Sequence, residues 1–428
     1  MREVDETKFE QGLEFARQLD TQDELAPFRG AFVPAEPELI YLDGNSLGCL
    51  PRLTMERMRV AVEKEWGSDL IRGWNAGWYG APVRAGEKIA QVVGAGPGQV
   101  VVGDSTSVNL FKLAMAALAM HPERQRIVSD VLNFPSDLYV LQGCIRLLGN
   151  RHQLSLVPSA DDITVDPSAL LEAIDERTAL VTLSHVTFKS GFMHNAVAVT
   201  ERAHEVGALV LWDLSHSAGA VRVDLDEWNA DLAVGCTYKY LNGGPGAPAF
   251  LYVRHDLQES LFSPIWGWFG QQSPFDFELE YRAKEGVARF LVGTPAMLSL
   301  LAMESALDLV LEAGIERIRQ KSVRLTSYLV HLVDTLLAPL GFALGSPRVP
   351  AHRGSHVSLR HPEGYRISRA LIEEMNVLPD FREPDNVRLG LSPLYTSYAE
   401  VWEAVERIQR VVSERSYQHY APERLAVT

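Results

Sequence analysis

Short runs of apolar residues alternate with helical patterns between about residues 95 and 255. Each run has the length of a strand and is bounded by turn-forming residues, so the runs predict buried strands. The predicted strands are 100–102, 126–129, 154–157, 179–184, 208–212, 232–234 and 249–253, and helices are predicted at 107–119, 136–148, 167–174 and 199–206. This alternation predicts an α/β fold with a mostly parallel sheet and helices on both faces. Ligands of such sheets bind beyond the carboxyl ends of the strands.

The pattern differs on both sides of this region. Residues 1–50 begin with an amphipathic stretch and continue as Pro-rich extended chain, and Pro51 opens a helix. After about residue 295, two long helices (295–312 and 315–337) lead into a smaller α+β unit with strands at 356–359 and 387–391 and a closing helix at 398–412. We therefore expect a large domain at 51–294, a linking helix with a small C-terminal domain at 295–428, and an N-terminal segment, 1–50, that packs with the small domain.

Composition and charge narrow the class of protein. The chain has 428 residues and a net charge of −15, which argues against a general nucleic-acid or anionic-membrane binder. Its three cysteines are scattered and form no C-x-x-C pair, so we expect a reducing compartment, no disulfide framework and no metal site. The first eight residues are charged and lack the apolar core of a signal peptide, and no apolar run approaches the roughly 20 residues of a membrane span. These features predict a cytoplasmic protein.

Lys239 is the first candidate for chemistry. It lies in the segment 236–246 (Cys-Thr-Tyr-Lys-Tyr-Leu-Asn-Gly-Gly-Pro-Gly), which follows a predicted buried strand and ends in a glycine-rich loop. Desolvation at such a strand end disfavours the ammonium, lowers the pKa and leaves an amine that can form a Schiff base. Taken alone, the position is more typical of an ordinary strand-end lysine.

Asp213 is the second candidate, at the end of another strongly apolar strand. A buried carboxylate there needs a partner, and the pyridinium nitrogen of pyridoxal phosphate is one that would also gain from it, because the acid keeps the ring protonated and able to accept electrons. An ordinary helix N-cap is the alternative. Asp213 and Lys239 both follow strands, which can bring an acid and an amine to one crevice.

Two loops add further candidates. The segment 103–110 (Gly-Asp-Ser-Thr-Ser-Val-Asn-Leu) places hydroxyls at the start of a helix, which suits either a phosphate site or a plain N-cap. The glycines at 94–98 precede their strand and do not form a nucleotide-binding fingerprint. In the segment 133–137 (Asn-Phe-Pro-Ser-Asp), Phe134 could stack on a planar ring, although a hydrophobic staple beside an N-cap is the more usual explanation.

Together these motifs resemble kynureninase. The resemblance rests on the segments 41–48 (Tyr-Leu-Asp-Gly-Asn-Ser-Leu-Gly), 107–110, 134–137, 213–216 (Asp-Leu-Ser-His) and, most specifically, 238–246 (Tyr-Lys-Tyr-Leu-Asn-Gly-Gly-Pro-Gly), and it runs from about residue 40 to about 395. It implies a pyridoxal-phosphate enzyme of the aspartate-aminotransferase fold type (fold type I), with the large domain binding the cofactor. It also implies a homodimer whose active sites are shared between subunits.

The resemblance implies a set of site residues, position by position. Lys239 would carry the cofactor, Asp213 would pair with its ring nitrogen and Phe134 would stack on the ring. The phosphate would be bound by Thr106, Ser107 and Tyr238, with Trp268 and with Thr294 of the neighbouring subunit. The other positions implied to lie near the cofactor are Pro135, Ser136, Asp137, Ser184 and His216. Arg388 would bind the substrate α-carboxylate, Asn45 and Ser46 would also face the substrate, and Trp74, with His185, would border the aryl pocket.

The implied reaction is hydrolysis of the Cβ–Cγ bond of L-kynurenine to anthranilate and L-alanine, with Tyr238 as the hypothetical donor of the Cβ proton. The sequence does not choose between kynurenine and 3-hydroxykynurenine. A cysteine desulfurase or aminotransferase of the same fold is an alternative, with Cys49 as the only loop cysteine because Cys236 is expected in a strand. A non-catalytic regulator that binds pyridoxal phosphate is another. Retention of Lys239, Asp213 and Arg388 argues against the regulator.

Overall fold

A computed structural model describes residues 9–34, 36 and 38–423 of the chain. The charged residues 1–8, on which the expected lack of a signal peptide depends, lie outside the described residues. Within the described ranges, no helix is long and apolar enough to cross a membrane.

The centre of the molecule is a seven-stranded sheet. Numbered in chain order after a short strand β1 (Ile40–Tyr41), its strands are β2 (Val100–Val102), β3 (Arg126–Asp130), β4 (Gln153–Val157), β5 (Thr178–Ser184), β6 (Leu209–Asp213), β7 (Leu232–Gly235) and β8 (Phe250–Val253). The strand order is β2-β8-β7-β6-β5-β3-β4. Strand β8 runs in the direction opposite to the other six strands of this sheet. The predicted mostly parallel sheet is confirmed, with strand ends within one residue of the prediction.

Helices cover both faces of this sheet because alternate strand residues point to opposite sides. On β6, Val210 and Trp212 belong to one apolar core, whereas Leu209 and Leu211 belong to another. The helices that contribute buried side chains to the first core are α3 (Ala81–Val93), α6 (Pro167–Ala173), α7 (Ala196–Glu205) and α8 (Met297–Ala313). Those of the second core are α4 (Thr106–Met120) and α5 (Pro135–Leu147). A further helix, α2 (Arg52–Val60), packs on α8.

The C-terminal part forms a smaller α+β unit. Its antiparallel sheet has the order β12-β13-β10-β9, with β9 (Ala343–Leu344), β10 (His356–Arg360), β12 (Asp380–Arg382) and β13 (Asn386–Gly390). The strand β11 (Val377–Leu378) pairs with β1 in a separate two-stranded sheet. Three helices complete the unit, namely α9 (Ile315–Leu332), α10 (Gly364–Glu374) and α11 (Tyr398–Ser413).

The N-terminal segment packs on this smaller unit. Helix α1 (Leu13–Thr21) lies against α11, and Asp20 accepts hydrogen bonds from the first backbone N–H groups of α11 at 2.7 and 3.0 Å. Packing changes between α8 and α9. The buried apolar residues of α8 belong to the core of the large domain, whereas most of those of α9 belong to the core of the C-terminal unit. The change in packing therefore falls near Gly314, about 20 residues later than the predicted start of the C-terminal part.

Candidate active site

A crevice of about 480 Å³ lies where strands of the large sheet end. Its volume is in the roughly 300–1,000 Å³ range of small-molecule sites. Most of the residues predicted for the cofactor lie on its wall: Thr106, Ser107, Phe134, Ser136, Asp137, Asp213, His216, Tyr238, Lys239 and Thr294. The sheet brings them together because β6 ends at Asp213, β7 ends four residues before Lys239, and α4 and α5 begin at the same edge.

Lys239 reaches into the middle of this crevice. Its Nζ lies 3.1 Å from Nε2 of His216 and 5.8 Å from the centre of the Phe134 ring. Burial lowers the pKa of Lys239, against the opposing effect of Cys236 and Asp213. Burial also holds the pKa of His216 well below its usual value, so the neutral imidazole can accept a hydrogen bond from the lysine. The site therefore favours the amine form that a Schiff base requires.

Asp213 and Asp137 form a pair of buried acids beside the lysine. The Asp213 Oδ1 accepts hydrogen bonds from the backbone N–H and the hydroxyl of Ser215, at 2.8 and 2.6 Å. Asp137 lies in the first turn of α5, and its carboxyl group is hydrogen-bonded to that of Asp213. Burial raises the pKa of both carboxyl groups, and the charge of Asp213 raises that of Asp137 further. A cationic group entering between them would relieve this cost, which is what a protonated pyridine ring offers.

Two helix N-termini meet at the other end of the crevice. Ser105 is the N-cap of α4, and its Oγ accepts from the Val108 N–H at 3.4 Å, so the ordinary capping role falls to Ser105. This leaves the hydroxyls of Thr106 and Ser107 on the crevice wall, with Ser107 Oγ 3.1 Å from Ser136 Oγ at the start of α5. Converging helix N-termini and hydroxyls suit a phosphate dianion.

Phe134 takes the N-cap position of α5, and its ring meets Phe188 edge-on at 5.3 Å. It is 39 % exposed. In a hydrophobic staple the ring would pack against its own helix. The Phe134 ring instead contacts Phe188 and stays partly exposed, and it faces Lys239. Pro135 supplies the first residue of α5.

Three predicted positions lie behind the crevice wall or on the surface. Ser184 is buried and donates to Oδ1 of Asn133 at 2.7 Å, so it supports the turn that carries Phe134. Trp74 packs against Phe269 at 5.9 Å. Trp268 packs against the same ring at 4.9 Å and is 39 % exposed. Neither tryptophan lines the crevice of its own chain, and their roles stay predictions.

His185 is buried and does not line the crevice. Its ring lies 4.8 Å from that of Trp228, and Nδ1 is 2.9 Å from Ser217 Oγ. Complete burial lowers its pKa to about 3. Strand β5 ends one residue earlier, at Ser184, and the predicted role of His185 stays a prediction.

Arg388 lies on β13 of the small unit and is only 1 % exposed. Its Nη1 donates to the Phe188 carbonyl at 2.6 Å, and its Nη2 donates to Ser46 Oγ at 2.7 Å and to Asp380. With its amide oxygen turned toward Arg388, Asn45 accepts from Nε at 2.9 Å. The structure thus brings the three predicted substrate residues together, although the wall of the crevice does not include them.

Several residues near the site were missed. Asp380 and Arg382 flank Arg388, and the charges of both arginines act on Lys239. His356 is completely buried, with its ring 5.6 Å from that of His216. The alternation Asp380-x-Arg382 before Arg388 across a short turn was the one signal available for the first two. Cys236 lies just after β7 and not within it, and it is buried beside Ser215. Cys49, the candidate of the desulfurase alternative, lines a separate cavity.

Comparison with solved structures identifies the fold. A cysteine desulfurase from Thermococcus onnurineus NA1 superposes with a TM-score of 0.78 at 21 % identity, covering 91 % of this chain and 98 % of that chain. The cystine C–S lyase C-DES superposes with a TM-score of 0.74 at 19 % identity, covering 90 % and 99 %. The architecture and the lysine–aspartate crevice place the chain in the fold-type-I class of pyridoxal-phosphate enzymes.

Comparison with characterised sequences narrows the class to one family. The family model described as "Kynureninase C-terminal domain" matches residues 318–408. A kynureninase from Pseudomonas fluorescens is 45 % identical over 405 residues, 93 % of this chain and 95 % of that protein. One from Burkholderia pseudomallei (strain 1106a) is 44 % identical over 424 residues, 97 % of this chain and 99 % of that protein. The chain belongs to the kynureninase family, and the predicted resemblance is confirmed.

Proposed function

We propose that this protein is a pyridoxal-phosphate-dependent kynureninase. It hydrolyses the Cβ–Cγ bond of L-kynurenine and releases anthranilate and L-alanine, a step of tryptophan catabolism. The observation that carries the proposal is 45 % identity to a kynureninase along almost the whole of both chains. The crevice supplies the amine, the acid pair and the phosphate-binding end that the chemistry needs.

The residues present fit the cofactor. Lys239 would hold it covalently, and Asp213, with Asp137, would face the ring nitrogen. Phe134 would cover the ring, while Thr106, Ser107, Ser136 and Tyr238 would bind the phosphate at the two helix N-termini. When bound, pyridoxal phosphate supplies an electron sink for bonds at the substrate α-carbon.

The chain's own groups would carry the proton transfers. The Lys239 amine is suited to remove the Cα proton because burial keeps its pKa low, and neutral His216 at 3.1 Å orients it. The oxygen of one water ends in the anthranilate carboxylate, and Cβ gains one proton. The neighbouring charge of Cys236, followed by burial, raises the pKa of Tyr238. The phenol is therefore protonated at neutral pH, as our proposal of Tyr238 as the donor to Cβ requires.

A homodimer with shared sites fits the exposed apolar surface. Two neighbouring stretches, 61–74 and 262–279, expose large apolar side chains, among them Trp66, Ile71, Trp266, Phe277 and Leu279. They touch through the Trp74–Phe269 contact, and Phe269 N–H donates to the carbonyl of Val292 on the crevice wall at 3.1 Å. A second copy covering this surface would bring its own Trp268 to the crevice. We also propose that the enzyme is cytoplasmic and binds neither nucleic acid nor membrane.

Mixing the purified, cofactor-loaded protein with L-kynurenine tests the function. Fluorescent anthranilate and an equal amount of L-alanine are the expected products, and Lys239→Ala is expected to abolish both. Failure to release anthranilate would refute the proposal, and formation of L-alanine from L-cysteine, with sulfide released in the presence of a reducing thiol, would favour the desulfurase alternative. The same assay with 3-hydroxykynurenine shows which of the two substrates the enzyme prefers. Efficient hydrolysis of 3-hydroxykynurenine would support a further role in NAD biosynthesis.

A further inference from the structure

The guanidinium of Arg388 is already occupied by groups of its own chain. Each of its three nitrogens donates within the chain: Nε to Asn45, Nη1 to the Phe188 carbonyl, and Nη2 to Ser46 and the carboxylate of Asp380. A planar guanidinium binds a carboxylate best with two parallel donors. A substrate α-carboxylate therefore cannot take that arrangement until an internal group leaves.

Two carboxylates of the chain lie near Arg388. Asp43 Oδ1 is 3.8 Å from Nη2, beyond hydrogen-bond distance, whereas Asp380 accepts a hydrogen bond from Nη2 and so takes the place that an incoming carboxylate would need. Backbone pairing sets Asp380 directly opposite Arg388, since β12 and β13 run antiparallel with these two residues in register. The same Oδ2 that meets Arg388 lies 2.9 Å from Nη2 of Arg382. One carboxylate is thus shared between two guanidinium groups.

The two arginines differ in burial. The side chain of Arg388 is 2 % exposed, whereas that of Arg382 is 38 % exposed, and the Arg382 Nε has no hydrogen-bond partner among the described residues. Arg382 therefore has donor capacity left for Asp380. Arg388 donates to the carbonyl of Phe188, whose ring meets that of Phe134 on the crevice wall, so the cluster lies beside the crevice.

We propose that Asp380 occupies the carboxylate site of Arg388 in the unliganded enzyme and passes to Arg382 when a substrate carboxylate binds. Arg382 is then a positioning residue that sets the affinity for amino-acid ligands without touching them. A buried carboxylate without a partner would raise the free energy of the complex. The exchange avoids this cost because Asp380 stays paired with Arg382 while the substrate carboxylate pairs with Arg388. This inference rests on the proposed function for the identity of the ligand.

The alternative is that Asp380 permanently orients Arg388. The two roles have opposite consequences when the acid is neutralised. If Asp380 competes with the ligand, Asp380→Asn tightens the binding of carboxylate ligands. If it orients Arg388, the same change weakens their binding.

Calorimetric titration of the holoenzyme with L-alanine and with L-alaninamide separates these roles without requiring turnover. We expect Arg382→Gln to weaken L-alanine roughly fivefold to tenfold and to leave L-alaninamide, which lacks the carboxylate, within about twofold. Arg382→Lys should recover part of the loss. In the Asp380→Asn background, Arg382→Gln should change the affinity for L-alanine less than about twofold, because the two residues act as one unit.

Arg360→Gln is the matched control. Arg360 also pairs with an aspartate on the same small sheet, with a side chain 34 % exposed, but its partner is Asp385 and not Asp380. It should leave both affinities unchanged. Unchanged affinity for L-alanine in Arg382→Gln, or weaker binding in Asp380→Asn, would overturn the exchange. Should Asp380→Asn not fold, the comparison of Arg382→Gln with Arg382→Lys still tests the exchange. A wild-type protein that binds L-alanine yet forms no anthranilate would refute only the proposed function.

Discussion

At the scale of single residues, the two buried acids beside Lys239, Asp137 and Asp213, have different roles. Burial raises the pKa of both, but that of Asp137 rises well above its usual value because the charge of Asp213 adds to the desolvation. Oδ1 of Asp213 also accepts two hydrogen bonds from Ser215, which stabilise a charged carboxylate, so we infer that Asp213 carries the charge of the pair and Asp137 the proton.

Asp213→Asn is accordingly expected to lower kcat by roughly 10²-fold or more, the scale of losing one preorganised electrostatic partner. Asp137→Asn, which mimics the protonated acid, should cost less than about tenfold. Anthranilate release under saturating L-kynurenine measures both. Equal losses in the two variants would contradict the assignment.

The same pair gives the cofactor-free protein a pH-dependent stability. A carboxyl whose pKa is raised on folding binds more protons in the folded than in the unfolded state between its usual pKa and the raised one. The contribution of the pair to the free energy of unfolding must therefore fall as pH rises through that interval. We expect Asp137→Asn to stabilise the cofactor-free protein relative to wild type, by an amount that grows from pH 5 to pH 7 in urea titrations. A difference that shrinks with rising pH would show that the pKa is lowered instead.

Tyr238 supports a third expectation at this scale. A phenol whose pKa is raised by its neighbours remains a proton donor across the neutral range. Tyr238→Phe should lower kcat by about 10²-fold with a smaller change in KM. The solvent isotope effect on product release then distinguishes a donor from a purely structural residue, because only loss of a donor alters it.

At the scale of elements, the strand ends were predictable because each buried strand is a nearly pure apolar run between turn residues. Asp213 and Lys239 were found for the same reason, since Asp213 ends such a run and Lys239 lies four residues beyond another. The burial of His185 away from the crevice wall was not predictable, because one residue beyond a strand end the sequence alone does not say which way a side chain turns. Asp380 and Arg382 were missed because their significance depends on the pairing of β12 with β13, which joins residues eight apart only after a turn.

The paired helix N-termini give an element-scale prediction. Ser107→Ala should weaken binding of pyridoxal phosphate severalfold, measured by titrating the cofactor-free protein, because it removes a hydroxyl facing the phosphate end. Ser397→Ala is the comparison, since Ser397 caps α11 in a complete capping box away from the crevice. It should cost about 1 kcal/mol of stability and leave cofactor affinity unchanged. Equal effects of the two variants on cofactor affinity would mean that Ser107 acts only through helix stability.

At the scale of the whole molecule, the resemblance implied that Trp268 and, from a neighbouring subunit, Thr294 bind the phosphate, and a single chain places these two residues differently. Thr294 lies on the wall of its own crevice, in the loop that precedes α8. Trp268 instead lies half-exposed on the apolar surface formed by residues 61–74 and 262–279. No pattern along one chain could separate these cases, because the sequence shows which residues are apolar but not which copy they cover.

Subunit mixing decides which crevice each residue serves. If Trp268 completes the partner's site, inactive Lys239→Ala and Trp268→Ala chains should regain activity when they exchange subunits. Random pairing of a homodimer makes half of the dimers mixed, each with one intact site, so about one-quarter of wild-type activity is expected. Thr294→Ala in place of Trp268→Ala should give no such recovery, because the mixed dimer would lack Lys239 in one crevice and Thr294 in the other. Recovery with Thr294→Ala, or none with Trp268→Ala, would reverse the assignment for that residue.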